Sequence, residues 1–167
     1  MSRSLNIETL RATNDTARIY KWDVEITGPG IGDGRIINLR CHTLTQPQPN
    51  YNPIDINIRG FTKKEYGAIE WNEITFNIYE IQSYDILLAL WDWGQKQFQA
   101  DTGVQMNKAD CECTITMLLE DLQDAPVVQW KLIGAILSNP TPPDLGSDKA
   151  GIWDYSFTVQ YDYALLI

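Results

Sequence analysis

The most regular pattern of hydrophobic and polar positions lies at residues 153–163, where every second side chain is large and apolar or aromatic. Small or polar side chains fill the positions between them. A period of two is typical of a strand that lays one face on a hydrophobic core. A proline-rich turn separates this segment from an apolar segment at residues 127–137. The pattern therefore predicts two strands joined by that turn, the second running to about residue 165.

The same alternation predicts five earlier strands. The first begins at Arg18 and ends before Gly28, and the others cover residues 35–44, 54–60, 71–81 and 110–120. The positions expected to face the core are Tyr20, Trp22, Val24, Ile26, Ile37, Leu39, Cys41, Ile54, Ile56, Ile58, Ile74, Phe76, Ile78, Cys111, Cys113, Ile115, Met117 and Leu119.

The segments between these strands read as turns and loops. Residues 28–34, GPGIGDG, are followed by a strand-like pattern, which favours a hairpin turn over a phosphate-binding loop at a helix start. Three prolines exclude residues 45–53 from a central strand. A turn is expected at residues 63–67.

One segment changes period and predicts a helix. Ser83 is placed as the N-cap, and Tyr84, Leu87, Leu88 and Trp91 form an apolar stripe at helical spacing. The helix is expected to fray after residue 94. Seven strands and one helix predict a mainly β (α+β) fold, with two packed antiparallel sheets forming a small sandwich or partly open barrel and one flanking helix.

The domain organisation follows from where the patterns begin. Residues 1–17 are polar and unpatterned, so they are either a disordered terminus or an arm that orders on assembly. Residues 18–167 are expected to form a single domain. The longest apolar run, residues 86–91, is too short for a membrane span, and no signal-peptide pattern is present. We therefore expect no membrane insertion and retention in a cytoplasm.

Charge and residue types narrow the possible functions. Thirteen basic and 22 acidic side chains give a net charge of −9, which disfavours a protein that grips nucleic-acid phosphates. An acidic or neutral wall past which nucleic acid moves remains compatible with this charge. One histidine and no nucleophile-elbow, phosphate-loop or zinc-protease motif leave no catalytic site, so we expect no enzyme and no cofactor.

The three cysteines are best interpreted as packing residues. Cys111 and Cys113 share the parity of Ile115 and Met117, so they point into the same apolar layer. A zinc site formed with Cys41 and His42 is the alternative. Most aromatic side chains also lie at core parity, whereas Tyr51, Tyr66 and Trp93 do not and are candidates for subunit contacts.

The order of several segments resembles the tail tube proteins of contractile-tail bacteriophages, whose architecture is shared by type VI secretion tube proteins. The resemblance covers residues 18–163 and rests on YKWDVEI, RCHTLTQPQP, INIRGF, WNEITFNIYEI, LLALWDW and the segment from VVQWKLIG to FTVQYDY. The most specific parts are WNEITFNI, the WDW that closes the helix, and the WKLIG and FTVQYDY pair.

This resemblance implies a structural virion protein whose hexameric rings stack helically into the inner tube of a contractile phage tail. The tube is the conduit for genome delivery, and it is assembled in the bacterial host cytoplasm. The implied partners are further copies of the chain, the tail sheath protein, the baseplate hub or tube initiator, the tail terminator, the tape measure protein and the passing DNA. The alternatives are a baseplate initiator or hub ring, a type VI secretion-like tube and, more remotely, a monomeric carbohydrate-binding β-sandwich.

The resemblance also implies which side chains face the lumen of the tube. Members of the family build the inner sheet from strands that match the second, third, fifth and sixth here. The alternate positions of those strands are then expected to face the lumen: Asn38, Arg40, His42, Asp55, Asn57, Arg59, Glu112, Thr114, Thr116, Gln129 and Lys131. The expected charge of this set is slightly positive.

Two further contact sets are expected. Ring stacking is assigned to the N-terminal arm, the loop after the second strand and the turn after the third: Leu5, Ile7, Leu10, Gln46, Gln48, Tyr51, Lys63, Lys64 and Tyr66. Asp23 and Glu25, on the outer side of the first strand, are expected to face the sheath.

Overall fold

The structure is a computed structural model that describes residues 17–148 and 150–167. The described residues form twelve strands: β1 Trp22–Gly28, β2 Gly32–Asp33, β3 Cys41–Leu44, β4 Pro49–Tyr51, β5 Ile54–Ile58, β6 Phe61–Glu65, β7 Ile69–Trp71, β8 Ile74–Tyr79, β9 Cys113–Glu120, β10 Pro126–Thr141, β11 Asp154–Gln160 and β12 Tyr163–Leu166. They also form three helices: α1 Arg35–Arg40, α2 Asp85–Gln97 and α3 Lys108–Cys111.

Eight of the strands make one antiparallel sheet in the order β2-β1-β9-β10-β11-β8-β3, and β12 pairs with β10 beside this path. The 16-residue strand β10 belongs to two halves of the sheet. Its first part, up to Ala135, pairs with β9 and β12, and its second part, from Ile136, pairs with β11. We call β2, β1, β9, β12 and the first part of β10 the front half, and the remainder the back half.

The two halves separate at a bulge in β10. The pairing with β9 shifts between Leu132 and Ala135, and Gly134 lies between them at a φ of 71°. This positive φ favours glycine, because side chains rarely adopt it, and a Cβ here would also meet the carboxylate of Asp162. A bulge bends its strand and increases the local twist. At the same place β11 ends and β12 begins, and the Asp162 amide donates to the Ile133 carbonyl over 3.0 Å.

The core lies between the two halves. Val24, Ile115 and Leu132 enter it from the front half, and all three are buried. Phe76 and Phe157 enter it from the back half, with their rings stacked 4.7 Å apart. Helix α1 packs against β1 and β8, while α2 packs against β10. The predicted fold class, mainly β with packed antiparallel sheets that do not close into a barrel, is confirmed.

The prediction of one strand over residues 35–44 is wrong, because α1 occupies its first six residues. The Gly34 carbonyl accepts hydrogen bonds from the amides of Ile37 and Asn38, which starts a helical turn. Ile37 reaches the core as predicted, but Leu39 is 81% exposed. Six residues hold less than two helical turns, so their pattern could not distinguish a helix from a strand.

The predicted helix exists, but of the predicted apolar stripe only Leu87 packs against the core. Ile86, Leu90 and Trp93 are buried, and the helix continues to Gln97 instead of fraying after residue 94. The Trp93 indole donates to the Cys111 carbonyl over 2.9 Å, so this side chain is a core residue and not a subunit contact. The predicted stripe residues Leu88 and Trp91 face away from the core and are exposed.

The last predicted strand is interrupted. Tyr155, Phe157, Val159 and Tyr161 are buried as predicted, but the chain leaves β11 after Gln160 and pairs with β10 as β12. Tyr163 is consequently exposed, because the change of strand partner also changes which positions face the core.

A carboxylate, rather than the predicted Ser83 N-cap, closes the start of α2. The buried Glu80 side chain accepts hydrogen bonds from the amides of Leu87 at 2.8 Å, Ile81 at 3.0 Å and Ile86 at 3.3 Å. The Ser83 hydroxyl instead donates to Asp85 over 2.7 Å. A negative charge at this position satisfies orphan amides and interacts favourably with the helix dipole.

We expect Glu80→Ala to lower the free energy of unfolding by about 1–2 kcal/mol, because it removes a cap from buried amides. Ser83→Ala is the matched control and should change stability by less than about 0.5 kcal/mol. Urea unfolding followed by circular dichroism, at a concentration where the protein is monomeric, measures both. Equal effects of the two substitutions would contradict the assignment of the cap.

Candidate assembly surfaces

The outer surface of the front half, which we call the open face, carries side chains from four neighbouring strands. Glu25 on β1 pairs with Thr116 on β9, which pairs with Lys131 on β10, which pairs with Leu165 on β12. In the next row Asp23 pairs with Leu118 and Leu118 with Gln129. Adjacent residues of paired strands lie on the same side of a sheet, so these rows form one continuous surface.

The open face brings together residues that were assigned to opposite surfaces. Thr114, Thr116, Gln129 and Lys131 were predicted to face the lumen, whereas Asp23 and Glu25 were predicted to face the sheath. One side of one sheet cannot face both the inside and the outside of a tube. The two assignments therefore exclude each other.

The charge of the open face is weakly negative. Asp23, Glu25 and Glu120 contribute three carboxylates, while Lys131 and the rim residue Arg35 contribute two cations, which leaves a formal charge of −1. Arg35 lies beside Asp23 and Glu25 in a shallow depression next to α1. The slightly positive sum expected for the lumen residues does not apply to this surface.

Four of the residues predicted to face the lumen lie outside the paired rows of the open face, although Asn38 lines the depression at its rim. Asn38 and Arg40 belong to α1, and the Asn38 side chain accepts a hydrogen bond from the Val24 amide at the edge of β1. His42 lies on β3 in the back half. Its Nε2 is 3.0 Å from an oxygen of Asp154, and its ring stacks on Tyr79 at 4.1 Å. Glu112 follows α3 and precedes β9.

A second surface is the hairpin of β5 and β6, which pairs with no other strand among the described residues. Arg59 and Gly60 form its two-residue turn, both at positive φ, as in type I′ turns. The predicted turn at residues 63–67 is therefore wrong, since Lys63 and Lys64 lie within β6. The sequence signal for the observed turn is the IRGF segment, in which two residues separate apolar positions.

The two faces of the hairpin differ in chemistry. Ile54, Ile56, Ile58 and Phe61 share one face, together with Lys63 and Glu65, whose charged groups are 2.6 Å apart. Ile54 and Ile58 are more than half exposed and Phe61 is 81% exposed, so the prediction that Ile54 and Ile58 lie in the core is wrong. We call this the apolar face of the hairpin.

The other hairpin face is polar. Lys64 is paired with Asp55 at 2.9 Å, and the Thr62 hydroxyl donates to Asn57 over 2.8 Å. Two predicted lumen residues, Asp55 and Asn57, thus share one surface, and Arg59 lies at the tip. Two of the predicted inter-ring residues, Lys63 and Lys64, lie on opposite faces of the hairpin.

The remaining inter-ring residues do not form one cluster: Tyr51 and Tyr66 flank the hairpin in sequence, Gln46 lines a depression beside β1 and β9, and others lie outside the described residues. Tyr51 is in β4, which pairs with β7, and Gln48 accepts a hydrogen bond from the Asn72 amide over 3.1 Å. Gln46, Tyr51 and Tyr66 are exposed. Leu5, Ile7 and Leu10 are outside the described residues.

Cys113 packs in the core as the sequence predicts, whereas Cys111 ends helix α3 and does not belong to the strand predicted over residues 110–120. Cys111 and Cys113 are buried, and the Cys111 thiol donates to the Lys96 carbonyl over 2.9 Å. Burial raises the pKa of Cys41 to about 12 and also raises the pKa of Cys113. These two thiols therefore stay protonated near neutral pH, whereas nucleophiles and metal ligands need the thiolate. The described part of the chain gathers no group of three His, Cys, Asp or Glu side chains suited to a metal ion.

Among the described residues, no helix combines the length and apolar character that a membrane crossing requires.

We expect Glu25→Cys and Thr116→Cys to have the same accessibility in any assembled particle, because the two positions are adjacent on the open face. Modification by a polymer-linked maleimide, followed by gel shift in assembled and dissociated protein, measures it. The unsubstituted chain gives the background from its own cysteines. Reaction of one site and protection of the other in the same particle would contradict the shared orientation.

Neither a protein-family model nor a curated protein matches the sequence. Solved structures do match. A chain of the anti-feeding prophage baseplate, solved by cryo-EM with six-fold symmetrisation, has a TM-score of 0.72 at 9% identity, covering 93% of this chain and 97% of that one.

Two structures of an extracellular contractile injection system, PVC, match with similar TM-scores. A chain of the sheath/tube terminator has a TM-score of 0.70 at 16% identity over 93% of this chain and 99% of that one. A chain of the extended sheath–tube complex has a TM-score of 0.68 at 16% identity, covering 98% of this chain and 99% of that one. At these low identities the TM-scores demonstrate a common fold, and the neighbours agree with the resemblance found in the sequence. The chain has the fold of proteins that build contractile injection systems.

Proposed function

We propose that this chain is a structural subunit that associates with copies of itself into the tube of a contractile particle. The observation that carries the proposal is the full-length fold match to a chain of a sheath–tube complex, with 98% and 99% of the two chains covered.

The hairpin of β5 and β6 gives a physical reason for association. A two-stranded hairpin is marginally stable in water unless further strands or a packed layer support it. This hairpin exposes isoleucine and phenylalanine side chains on one face. Large exposed apolar patches on soluble proteins mark interaction sites. A neighbouring copy supplies the missing layer.

The proposed assembly is a ring of six copies, with rings stacked into a tube. A heterologous contact joins two different surfaces of the same chain, so it repeats from copy to copy and produces a ring or an open filament. Ring stacking is assigned to Gln46, Gln48, Tyr51, Lys63, Lys64 and Tyr66, together with Leu5, Ile7 and Leu10 in the N-terminal arm. Closing the ring also covers strand edges, which otherwise promote aggregation.

We assign the open face to the lumen. Asp23 and Glu25 then line the wall beside Thr114, Thr116, Gln129 and Lys131, and the sheath contacts a different surface. The polar hairpin face extends this wall with Asp55 and Asn57, with Arg59 at its edge, whereas Asn38, Arg40 and His42 are left out. Small polar side chains and a weakly negative charge let DNA or another polyanion move without adhering.

The partners of such a tube are the sheath protein, the baseplate hub or tube initiator, the terminator, the tape measure protein and the passing DNA or other cargo. The particle is a phage tail or a related injection machine assembled in a bacterial cytoplasm. The chain acts there as a structural protein without catalysis.

A second candidate is the first ring at the baseplate, which nucleates the tube and does not polymerise. The fold match to a chain of the anti-feeding prophage baseplate favours it, with a TM-score of 0.72. Both roles use the same fold and the same lateral contacts, and they differ in whether rings stack.

We expect negative-stain electron microscopy of the purified chain at micromolar concentration to reveal hollow tubes or stacked rings. Single rings that do not stack would support the baseplate role instead. A chain that stays monomeric at high concentration, even with purified tail baseplates added, would contradict both roles.

Ile58→Asp should abolish these assemblies, because it places a charge on the apolar face of the hairpin. Asn57→Asp is the matched control, since this residue is next in sequence, exposed and on the polar face. Circular dichroism verifies that both variants fold. Normal tubes from folded Ile58→Asp would remove the apolar face from the assembly contacts.

A further inference from the structure

Helix α2 has an apolar face that its own chain leaves exposed. Tyr84, Leu88 and Trp91 follow one another at helical spacing on the side opposite Ile86, Leu90 and Trp93. Leu88 is 56% and Trp91 is 62% exposed. Phe98, at the C-cap, is also exposed and continues this line, so the stripe is about 20 Å long. We call it the outer stripe of α2.

Acidic side chains border the outer stripe. Asp85 and Asp92 lie on α2 itself, and Asp92 lines a depression together with Gln95, Asp101 and Asp110. Lys96 lines the same depression, but its ammonium group donates to the carbonyls of Pro29 at 2.9 Å and Gly30 at 3.1 Å. The surface around the stripe is therefore apolar and acidic.

The apolar face of the hairpin has the complementary composition. Ile54, Ile58 and Phe61 are exposed. Lys63 lies on the same face but is paired with Glu65, so the positive charge of this face comes from Arg59 at the tip. Residues 54–65 hold three basic and two acidic side chains within a chain of net charge −9. Five strand residues span about 17 Å, close to the length of the outer stripe.

We propose that the apolar face of the hairpin of one copy docks on the outer stripe of α2 of a neighbouring copy. This contact rests on the proposed function, in that copies of the chain associate. It buries the isoleucines and Phe61 against Leu88 and Trp91 and brings Arg59 towards Asp85 and Asp92. Apolar burial supplies the affinity, and the opposite charges set the orientation.

A second copy is the occupant of the stripe that the chemistry favours. The chain carries both complementary surfaces, and both are exposed in the single chain. Because the surfaces differ, each bound copy still presents a free hairpin and a free stripe. The contact is thus heterologous and continues around a ring or along a filament.

The test is disulfide cross-linking in the full chain. Ile58→Cys combined with Leu88→Cys should give, on mild oxidation, a ladder of covalently linked multimers. Asn57→Cys with Leu88→Cys is the control and should give no ladder, because Asn57 points to the other face of the hairpin. The unsubstituted chain controls for Cys41, Cys111 and Cys113.

A third pair, Ile58→Cys with Leu165→Cys, tests β12 as an alternative docking surface for the hairpin, because β12 also exposes apolar side chains. A ladder from that pair and none from the α2 pair would overturn the proposed contact. Rings or tubes seen by microscopy without cross-linking through Leu88 would overturn the contact and leave the proposed function standing. Absence of any assembly would count against both.

Trp91→Ala gives an independent measurement that does not depend on oxidation. Trp91 is exposed in the single chain, so the variant should fold normally. Truncation of a buried interface tryptophan should weaken self-association by at least about tenfold in sedimentation velocity. Gln123→Ala, at an exposed position in the turn between β9 and β10, is the control and should stay within about threefold of the unsubstituted chain. Unchanged association of Trp91→Ala would contradict the docking site.

Discussion

The structure depends on one strand that pairs with different neighbours along its length. The first part of β10 pairs with β9 and β12 in the front half, and its second part pairs with β11 in the back half. The backbone of this one strand therefore positions both halves of the sheet around the core. The change of partner occurs at Gly134, whose positive φ favours a residue without Cβ and which lies beside Asp162. Asp162 also forms an ion pair with Lys108, which ties α3 to this point. The remaining strands and α2 pack around the core that this bend creates.

That core is complete within one chain, and it leaves three surfaces without partners. The open face is weakly charged and mostly polar apart from Leu118 and Leu165, which suits contact with water or with cargo. The apolar hairpin face and the outer stripe of α2 are different, because exposing aromatic and aliphatic side chains to water is unfavourable. A subunit with two such surfaces, complementary in charge, is suited to repeated association with its own kind.

The central strands could be predicted from the sequence because alternation and burial coincide there. Ile74, Phe76 and Ile78 on β8, and Cys113, Ile115 and Met117 on β9, are buried as the pattern indicates. Ile54, Ile56 and Ile58 alternate in the same way, yet they belong to a hairpin that contacts little of its own chain. Alternation with a period of two indicates that one face of a strand is apolar. It does not indicate whether the same chain or another molecule covers that face.

The candidate surfaces were harder to predict for related reasons. Helix α2 is apolar on two sides, and Glu80 together with the Trp93–Cys111 hydrogen bond determines which side faces the core. The sequence pattern contains neither constraint, so it favoured the exposed side. The lumen and sheath residues were assigned strand by strand. Only the register of β1 against β9 reveals that Glu25 and Thr116 belong to one surface.

If the hairpin acquires its partner through assembly, its backbone amides should become protected only in the particle. Amide hydrogen exchange with mass spectrometry, on the monomer and on the assembled particle, measures this protection. We expect residues 54–65 to exchange rapidly in the monomer and slowly in the particle, while β8, β9 and β11 are protected in both. Equal exchange of the hairpin in the two states, whether slow or fast, would contradict this expectation.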